Sequence, residues 1–313
     1  MYRIGVDLGG TNIAVGVVDA RGALAAVRTV PTRAQRGPEA LLDDIARCVE
    51  CCLDEAGISP ADCTGLGIGC PGSCDSEAGL VRRAPNLNWT DVPVCRLLRE
   101  RLGLPVALAN DADCAALGEV AYGAARGRSS VLLITLGTGV GGGFVIDGKI
   151  YAGYRGLGGE FGHVCIAPGG VRCGCGQDGC WEAYASATAL VRQAREAAAL
   201  HPDSRLNALP ALDGKSIYAA ARDGDETACA VTAQYARYVA LGLTNYINAL
   251  APEVVLLGGG VAGAGDALLA PVRACVQARF FHKNPALLPE IAAAALGGEA
   301  GIYGAAALIS GKW

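Results

Sequence analysis

The residues of this chain best suited to chemistry lie between positions 159 and 182. Gly159-Glu160-Phe161-Gly162-His163 is followed by Cys173-Gly-Cys175-Gly-Gln-Asp-Gly-Cys180-Trp-Glu182. One imidazole and three thiols lie close together in sequence, and glycines separate the thiols. That spacing makes poor core packing and a good metal loop. His163, Cys173, Cys175 and Cys180 form a Cys3His ligand set for a structural zinc ion. Four protein ligands leave no position for a catalytic water. The two acids that bracket the set, Glu160 and Glu182, are then carboxylates held in place by a metal, an arrangement suited to gripping hydroxyl groups.

A second chemistry is suggested by two glycine-rich turns. Ile4 to Asp19 aligns without a gap to Leu132 to Asp147, an offset of 128 (132 minus 4), with Leu8 on Leu136 and Gly9 on Gly137. Each copy reads as a strand, a glycine turn, a second strand and a closing turn, Asp19-Ala-Arg-Gly22 or Asp147-Gly148. Glycines let backbone N–H groups approach phosphate oxygens with no Cβ in the way. In the first turn Gly9, Gly10, Thr11 and Asn12 would donate, and Asp7 would hold a magnesium ion through water, which magnesium gives up reluctantly. In the second turn the donors would be Gly137, Thr138 and Gly139, and Thr135 stands where the first copy has Asp7. One magnesium on one side of a nucleotide fits that asymmetry. Either turn alone is also an ordinary hairpin; the aligned pair points to function. A dinucleotide fingerprint is excluded because Gly143-Phe-Val-Ile146 continues as a strand where a helix is required. A P-loop is excluded because no Gly-Lys-Ser/Thr occurs.

Phosphoryl transfer to an alcohol needs a carboxylate within reach of the attacking hydroxyl. Asn110-Asp111-Ala-Asp113 stands where a strand ends and a helix begins. Helix capping accounts for such residues on its own. Beside a nucleotide site, Asp111 is the candidate base and Asp113 the alternative, which should face away because it lies two residues into the helix.

The elements that position these groups alternate between strand and helix. Helices are expected at 39–56, 94–102, 111–122, 185–199, 215–222 and 225–250. Strands are expected at 65–69, 106–109, 253–257 and 291–294, and an Ala-rich helix ends near Ser310. This gives α/β domains: residues 1–120, joined by the terminal helix 299–313, and residues 121–298, with a hinge near Gly118–Gly127. Of 313 residues, 52% are hydrophobic and 18% charged, so a large core is available and disorder is not expected. The net charge of −4 and the absence of a basic patch argue against a nucleic-acid partner. Met1-Tyr2-Arg3 leads straight into a strand pattern, and no run is long and apolar enough for a signal peptide or membrane span. A cytoplasmic protein is expected. Fourteen cysteines would then be mostly buried thiols rather than disulfides, with Cys48, Cys51 and Cys52 on one buried helix face.

In order, Asp7-x-Gly-Gly-Thr-Asn, Asn110-Asp111, Leu136-Gly-Thr-Gly-Val-Gly-Gly-Gly, Gly159-Glu-Phe-Gly-His163 and Cys173-x-Cys-Gly-x-x-Gly-Cys-x-Glu182 resemble the ROK family of bacterial sugar kinases and repressors, its glucokinases most of all. The resemblance covers essentially the whole chain and is most specific in the cysteine block. It implies a pair of RNase-H-like domains around a cleft, the actin/hexokinase-like ATPase fold. It implies ATP-dependent phosphorylation of a hexose, with Asp111 as general base on the sugar 6-hydroxyl. Asn110, Glu160, His163 and Glu182 would bind the other hydroxyls, His163 while also ligating zinc. Gly72 and Asn86 would line the sugar side, and Gly258, Gly259 and Gly260 would lie near the adenosine. Homodimers are common in the family. Glucose is the expected acceptor; N-acetylmannosamine, N-acetylglucosamine, allose, fructose or a non-catalytic sugar-sensing role are the alternatives. Repressor members carry an N-terminal helix-turn-helix, which is not expected here because the first hairpin opens at once.

Overall fold

The computed structural model describes residues 1–310. Tyr2–Leu8 (β1) and Asn12–Val18 (β2), each buried over most of its length, build an antiparallel hairpin with Leu8 opposite Ile13. Shifted by 128 residues, these bounds fall on Ser130–Leu136 (β9) and Val140–Ile146 (β10), so the repeat read from the sequence is a repeat of structure. Leu24–Pro31 (β3) extends the first hairpin, and Cys63–Cys70 (β4) and Val106–Asn110 (β8) run parallel to β1 on its other side. The first sheet is ordered β3-β2-β1-β4-β8. With Lys149–Ile150 (β11), Val254–Gly258 (β12) and Glu290–Ala293 (β13), the second is ordered β11-β10-β9-β12-β13. The sheets share one order, third-second-first-fourth-fifth. This is the RNase-H-like pairing of the actin/hexokinase-like ATPase fold, an α/β architecture.

Gly37–Ala56 (α1) and Val94–Leu102 (α2) pack on the first sheet. The buried stripe of α1 contains Leu41, Ile45, Cys48, Val49 and Cys52. Cys51 is exposed, which corrects the expected three-cysteine face: at about 100° per residue it falls outside the arc that Cys48 and Cys52 share. Between β4 and β8 a small sheet that the sequence did not suggest is built from Ser73–Asp75 (β5), Leu80–Ala84 (β6) and Trp89–Val92 (β7). Asp111–Ala121 (α3) follows β8, with Asn110 as its N-cap. In the second half come Glu182–Ala185 (α4), Ala187–Leu200 (α5), Gly214–Arg222 (α6), Glu226–Leu250 (α7) and Asp266–Arg279 (α8). Only α8 among the longer ones had no counterpart in the expected helices. Side chains of Ser186, Asp213 and Asp225 accept N–H bonds at the starts of α5, α6 and α7.

Ala300–Ala307 (α9) packs on β1, β4 and α3. The contact is backbone on backbone. A Cβ at Gly5 would lie 2.0 Å from the Ile302 oxygen, one at Gly67 1.7 Å from the Ala305 oxygen, and one at Gly304 1.5 Å from the Cys114 oxygen. Gly118, expected near a hinge, is locked in the same packing; its Cβ would meet the Ala300 oxygen at 2.4 Å. The wholly buried Glu119 closes this layer, accepting from Ala124 N–H and Leu296 N–H at 2.8 Å each. Residues 311–313 of the expected terminal helix lie outside the described residues.

Two compact units result: residues 1–131 with 143–159 and the chain from Ala295, and residues 132–142 with 160–294. They interleave more than a division at 120/121 allows, because the segment after Gly143 packs in the first unit. A Cβ at Gly143 would touch Asp113 Cα and Ala116 Cβ, and one at Gly156 would lie 1.9 Å from the Cys74 oxygen.

Gly304→Ala should cost about 2–3 kcal/mol in denaturant unfolding, since backbone rather than a movable side chain blocks the new methyl. Gly298→Ala, where a Cβ meets nothing within 4 Å, should change stability by less than about 0.5 kcal/mol.

Candidate functional site

In the first unit the chemistry gathers at the carboxyl ends of β1, β4 and β8, where open α/β sheets bind ligands. Asp7, Gly69 and Ala109 are in register across these strands. Asn110 and Asp111 come one and two residues later. Gly69 has no side chain between the acids, and a Cβ there would lie 3.4 Å from Asp111 Cα. Asp111 is the first residue of α3, and one carboxylate oxygen accepts the Ala112 N–H at 2.9 Å. Burial raises its pKa above the usual carboxylate range. Burial, with the Asp111 charge adding to it, raises Asp7 to about 6. The Asp7 carboxylate fits because residue 301 is glycine; a Cβ there would lie 2.4 Å from Oδ2.

The first glycine loop is braced from β3. Thr32 Oγ1 donates to the Gly9 oxygen at 2.8 Å, and Thr32 N–H to the Thr11 oxygen at 2.7 Å. Gly10, Thr11 and Asn12 are exposed. Asn86 stands over this loop, its Cβ 3.8 Å from where a Gly10 Cβ would be. Asn110 and Gly72 are brought together, but largely to serve each other. Asn110 Nδ2 donates to the Gly72 oxygen at 3.0 Å, and Oδ1 accepts from Ala112 and Asp113 N–H. Gly72 needs its φ of +86°, and a Cβ there would strike the Arg83 oxygen. Asp113 is buried in the first turn of α3.

In the second unit His163 Nδ1, Cys173 Sγ, Cys175 Sγ and Cys180 Sγ all lie within 4.8 Å of one another. Cys173 Sγ is 3.8 Å from His163 Nδ1, and Cys175 Sγ is 3.6 Å from Cys180 Sγ. A tetrahedral ion bound at protein nitrogen and sulfur distances sets its ligands about 3.6–3.8 Å apart, so the four can hold a metal. Gly176 and Gly179 turn the loop at φ of +95° and +79°. Trp181, fully buried, anchors its end, donating from Nε1 to the Tyr238 oxygen and lying over Gly242 of α7. With Nδ1 facing the thiols, His163 Nε2 faces outward, 3.9 Å from Glu160 Oε2. Glu160 itself is exposed.

Glu182 does more than bracket the cysteines. Its Oε1 lies 3.6 Å from Cys173 Sγ, and its Oε2 accepts the Val140 N–H at 3.0 Å. The second glycine loop is thereby tied to the cysteine block, with Gly139 packed against the carboxylate and Gly137 facing open space. Thr138 is exposed.

Of the three glycines after β12, Gly258 is enclosed by Leu133, Thr135 and Ala294, and Gly259 turns the chain at φ +82°. Gly260 lines a cavity of about 650 Å³ with Lys215, Tyr218, Arg222 and Thr232. The hydroxyl of Tyr218 is buried without a hydrogen-bond partner among the described residues. A lone Tyr in a helical pattern gives no sign of this in sequence; only the fold of α6 against the 260–264 turn exposes it.

Because Asp7 is neutral in the fold up to about pH 6 but ionises near pH 4 when unfolded, its favourable contribution is complete below pH 4 and disappears as pH rises through 6. Asp7→Asn should therefore match the parent's stability near pH 4 and exceed it by about 2–3 kcal/mol at pH 8, read by urea unfolding without nucleotide.

Residues 3–312 match the ROK family. The chain is 39% identical to a glucokinase of Streptomyces coelicolor, over 97% of this chain and 96% of that one. The crystal structure of a ROK family glucokinase from Streptomyces griseus in complex with glucose and AMPPNP superposes with a TM-score of 0.81 at 37% identity, covering 98% of this chain and 99% of that one. A ROK hexokinase from Thermus thermophilus gives 0.80 at 39% identity, covering 98% and 97%. Sheet order, hairpin repeat, cysteine block and these likenesses agree: the chain belongs to the ROK family.

Proposed function

We propose that this protein transfers the γ-phosphoryl group of ATP to a hexose, glucose first. The observation that carries the reading is the buried Asp111 carboxylate at the strand ends beside Asp7, in a chain whose close relatives are glucokinases. One Asp111 oxygen is fixed by the Ala112 N–H, which aims the other. Its raised pKa brings it nearer that of a base working at neutral pH. In this reading it orients the sugar 6-hydroxyl and takes its proton. Loop amides at Gly10–Asn12 and Thr138–Gly139 would hold the phosphates, those of Gly9 and Gly137 being spent on the Asn12 and Gly139 oxygens within the turns, and Asp7 would support a magnesium ion, which would neutralise phosphate charge. The cavity at Gly260, lined by Lys215, Tyr218, Arg222 and Thr232, suits the nucleoside.

The donor set at His163, Cys173, Cys175 and Cys180 suits zinc, which when bound would fix the imidazole through Nδ1 and leave Nε2 for a sugar oxygen. Glu160, Glu182, Asn110, Gly72 and Asn86 are the further sugar-side residues of the proposal. Asn110 has one amide hydrogen beyond its bond to Gly72 to offer. The functional halves of the proposal follow the two compact units rather than the expected division of residues 1–120 with the terminal helix and residues 121–298. No helix among the described residues is long and apolar enough to cross a membrane. A cytoplasmic homodimer completes the reading; light scattering tests the assembly, and fractionation the location.

The test is kcat/KM with Mg-ATP across glucose, mannose, fructose, allose and N-acetylhexosamines. Glucose should lead, and inertness toward all of them would reduce the protein to a sugar sensor. Asp111→Asn should lower kcat at least about 10³-fold while leaving the glucose Kd within about threefold. The parent's kcat/KM should fall on the acid side with a pKa above the ordinary carboxylate range. Near-normal kcat in the variant would remove Asp111 as base. Cys175→Ser should lose bound zinc by metal analysis and raise the glucose KM about tenfold or more.

A further inference from the structure

The segment after the cysteine block makes three bonds to one short loop. Val140 N–H donates to Glu182 Oε2 at 3.0 Å, Ala187 N–H to the Gly137 oxygen at 2.7 Å, and Thr188 Oγ1 to the Thr138 oxygen at 2.8 Å. Ser186, the N-cap of α5, holds this segment rigid by accepting the Ala189 N–H. Residues 137, 138 and 140 are thus each fixed from outside, while Gly139 lies against the Glu182 carboxylate.

We propose that Thr188 is a positioning residue for phosphoryl transfer, setting the direction in which the second glycine loop presents its amides to the nucleotide phosphates. The inference rests on the kinase reading above. The Thr138 carbonyl belongs to the peptide whose N–H is that of Gly139. A peptide plane is rigid, so a donor on its oxygen fixes where its N–H points. Thr188 Oγ1 is that donor, and it pulls the carbonyl toward α5 so that the Gly139 N–H faces the other way. Thr188 touches none of the cysteines, Glu160 or His163 through any hydrogen bond described above, so its effect should fall on nucleotide and not on sugar. This separates it from Glu182, which faces both.

Thr188→Val removes the hydroxyl and keeps the shape; Thr188→Ser keeps the hydroxyl. ATP KM, glucose KM and kcat are measured for each, with ADP affinity by calorimetry. Loss of one neutral hydrogen bond predicts about a fivefold rise in ATP KM and a matching loss of ADP affinity for Thr188→Val. Glucose KM should stay within about twofold, and Thr188→Ser should recover ATP KM to within about twofold. An unchanged ATP KM and ADP affinity in Thr188→Val overturns the proposal, as does an equal rise in both substrate KM values, the mark of general loosening. A parent protein inert toward every hexose overturns the kinase reading instead, and the ADP titration then decides the role of Thr188 alone.

Discussion

The convergence of one imidazole nitrogen and three sulfurs within 4.8 Å is the constraint on which the second unit's site depends. Four such atoms do not gather for packing energy alone. Thiols at this spacing sit in a loop with two glycines at positive φ, which lose much conformational freedom on ordering. A bound ion would supply the compensating energy. Once the loop is fixed, the His163 ring has one nitrogen committed and the other directed outward, and Glu182 begins its helix at a set distance from Cys173. Trp181, whose Nε1 donates to the Tyr238 oxygen of α7, then ties the loop to the body of the unit.

The first unit shows the opposite economy. Asp7 and Asp111 are both held where burial disfavours their charge, and the Asp111 charge makes Asp7 harder still to ionise. Nothing in folding calls for two acids at adjoining strand ends. The fold tolerates them because Gly69 and Gly301 leave space, and because α9 seals the layer beneath with backbone-to-backbone packing. Destabilised acids in a well-sealed layer fit the proposed site, where a cation or a proton would arrive. Glu119 is a useful contrast: also a carboxylate and more deeply buried, it accepts two backbone N–H bonds that tie it into the structure.

What could be read beforehand followed from local rules. The hairpin repeat was legible because each copy is an apolar run, a glycine-rich turn and a second apolar run, and both copies obey one 128-residue offset to the residue. The metal set was legible because cysteine spacing is chemistry written in one dimension. The errors have a common origin in tertiary contact. Gly118, at the start of the expected hinge stretch Gly118–Gly127, is where α9 crosses α3, a contact with no sign in the local sequence. Cys51 looked like part of a buried face because i, i+3 and i+4 usually share one; here the buried arc turns toward Leu42 and Val49. Strands β5–β7 are three to five residues long, too short for periodicity to show. The Thr188 bond is fifty residues long in sequence and has no local signature at all.

The two hairpins also show how a duplicated element can be braced in different ways. In the first copy the third strand, β3, runs eight residues, and the next residue, Thr32, reaches back to hold the glycine loop. In the second copy the third strand, β11, is two residues long and ends far short of its loop. A glycine loop without a brace would sample many conformations, and its amides would have no fixed direction. The missing support comes from Glu182, Ala187 and Thr188, residues that follow directly on the cysteine block. The same stretch of chain therefore carries the metal ligands and steadies the second loop. A change in the His163, Cys173, Cys175 and Cys180 set would therefore be felt at the second loop as well as at His163.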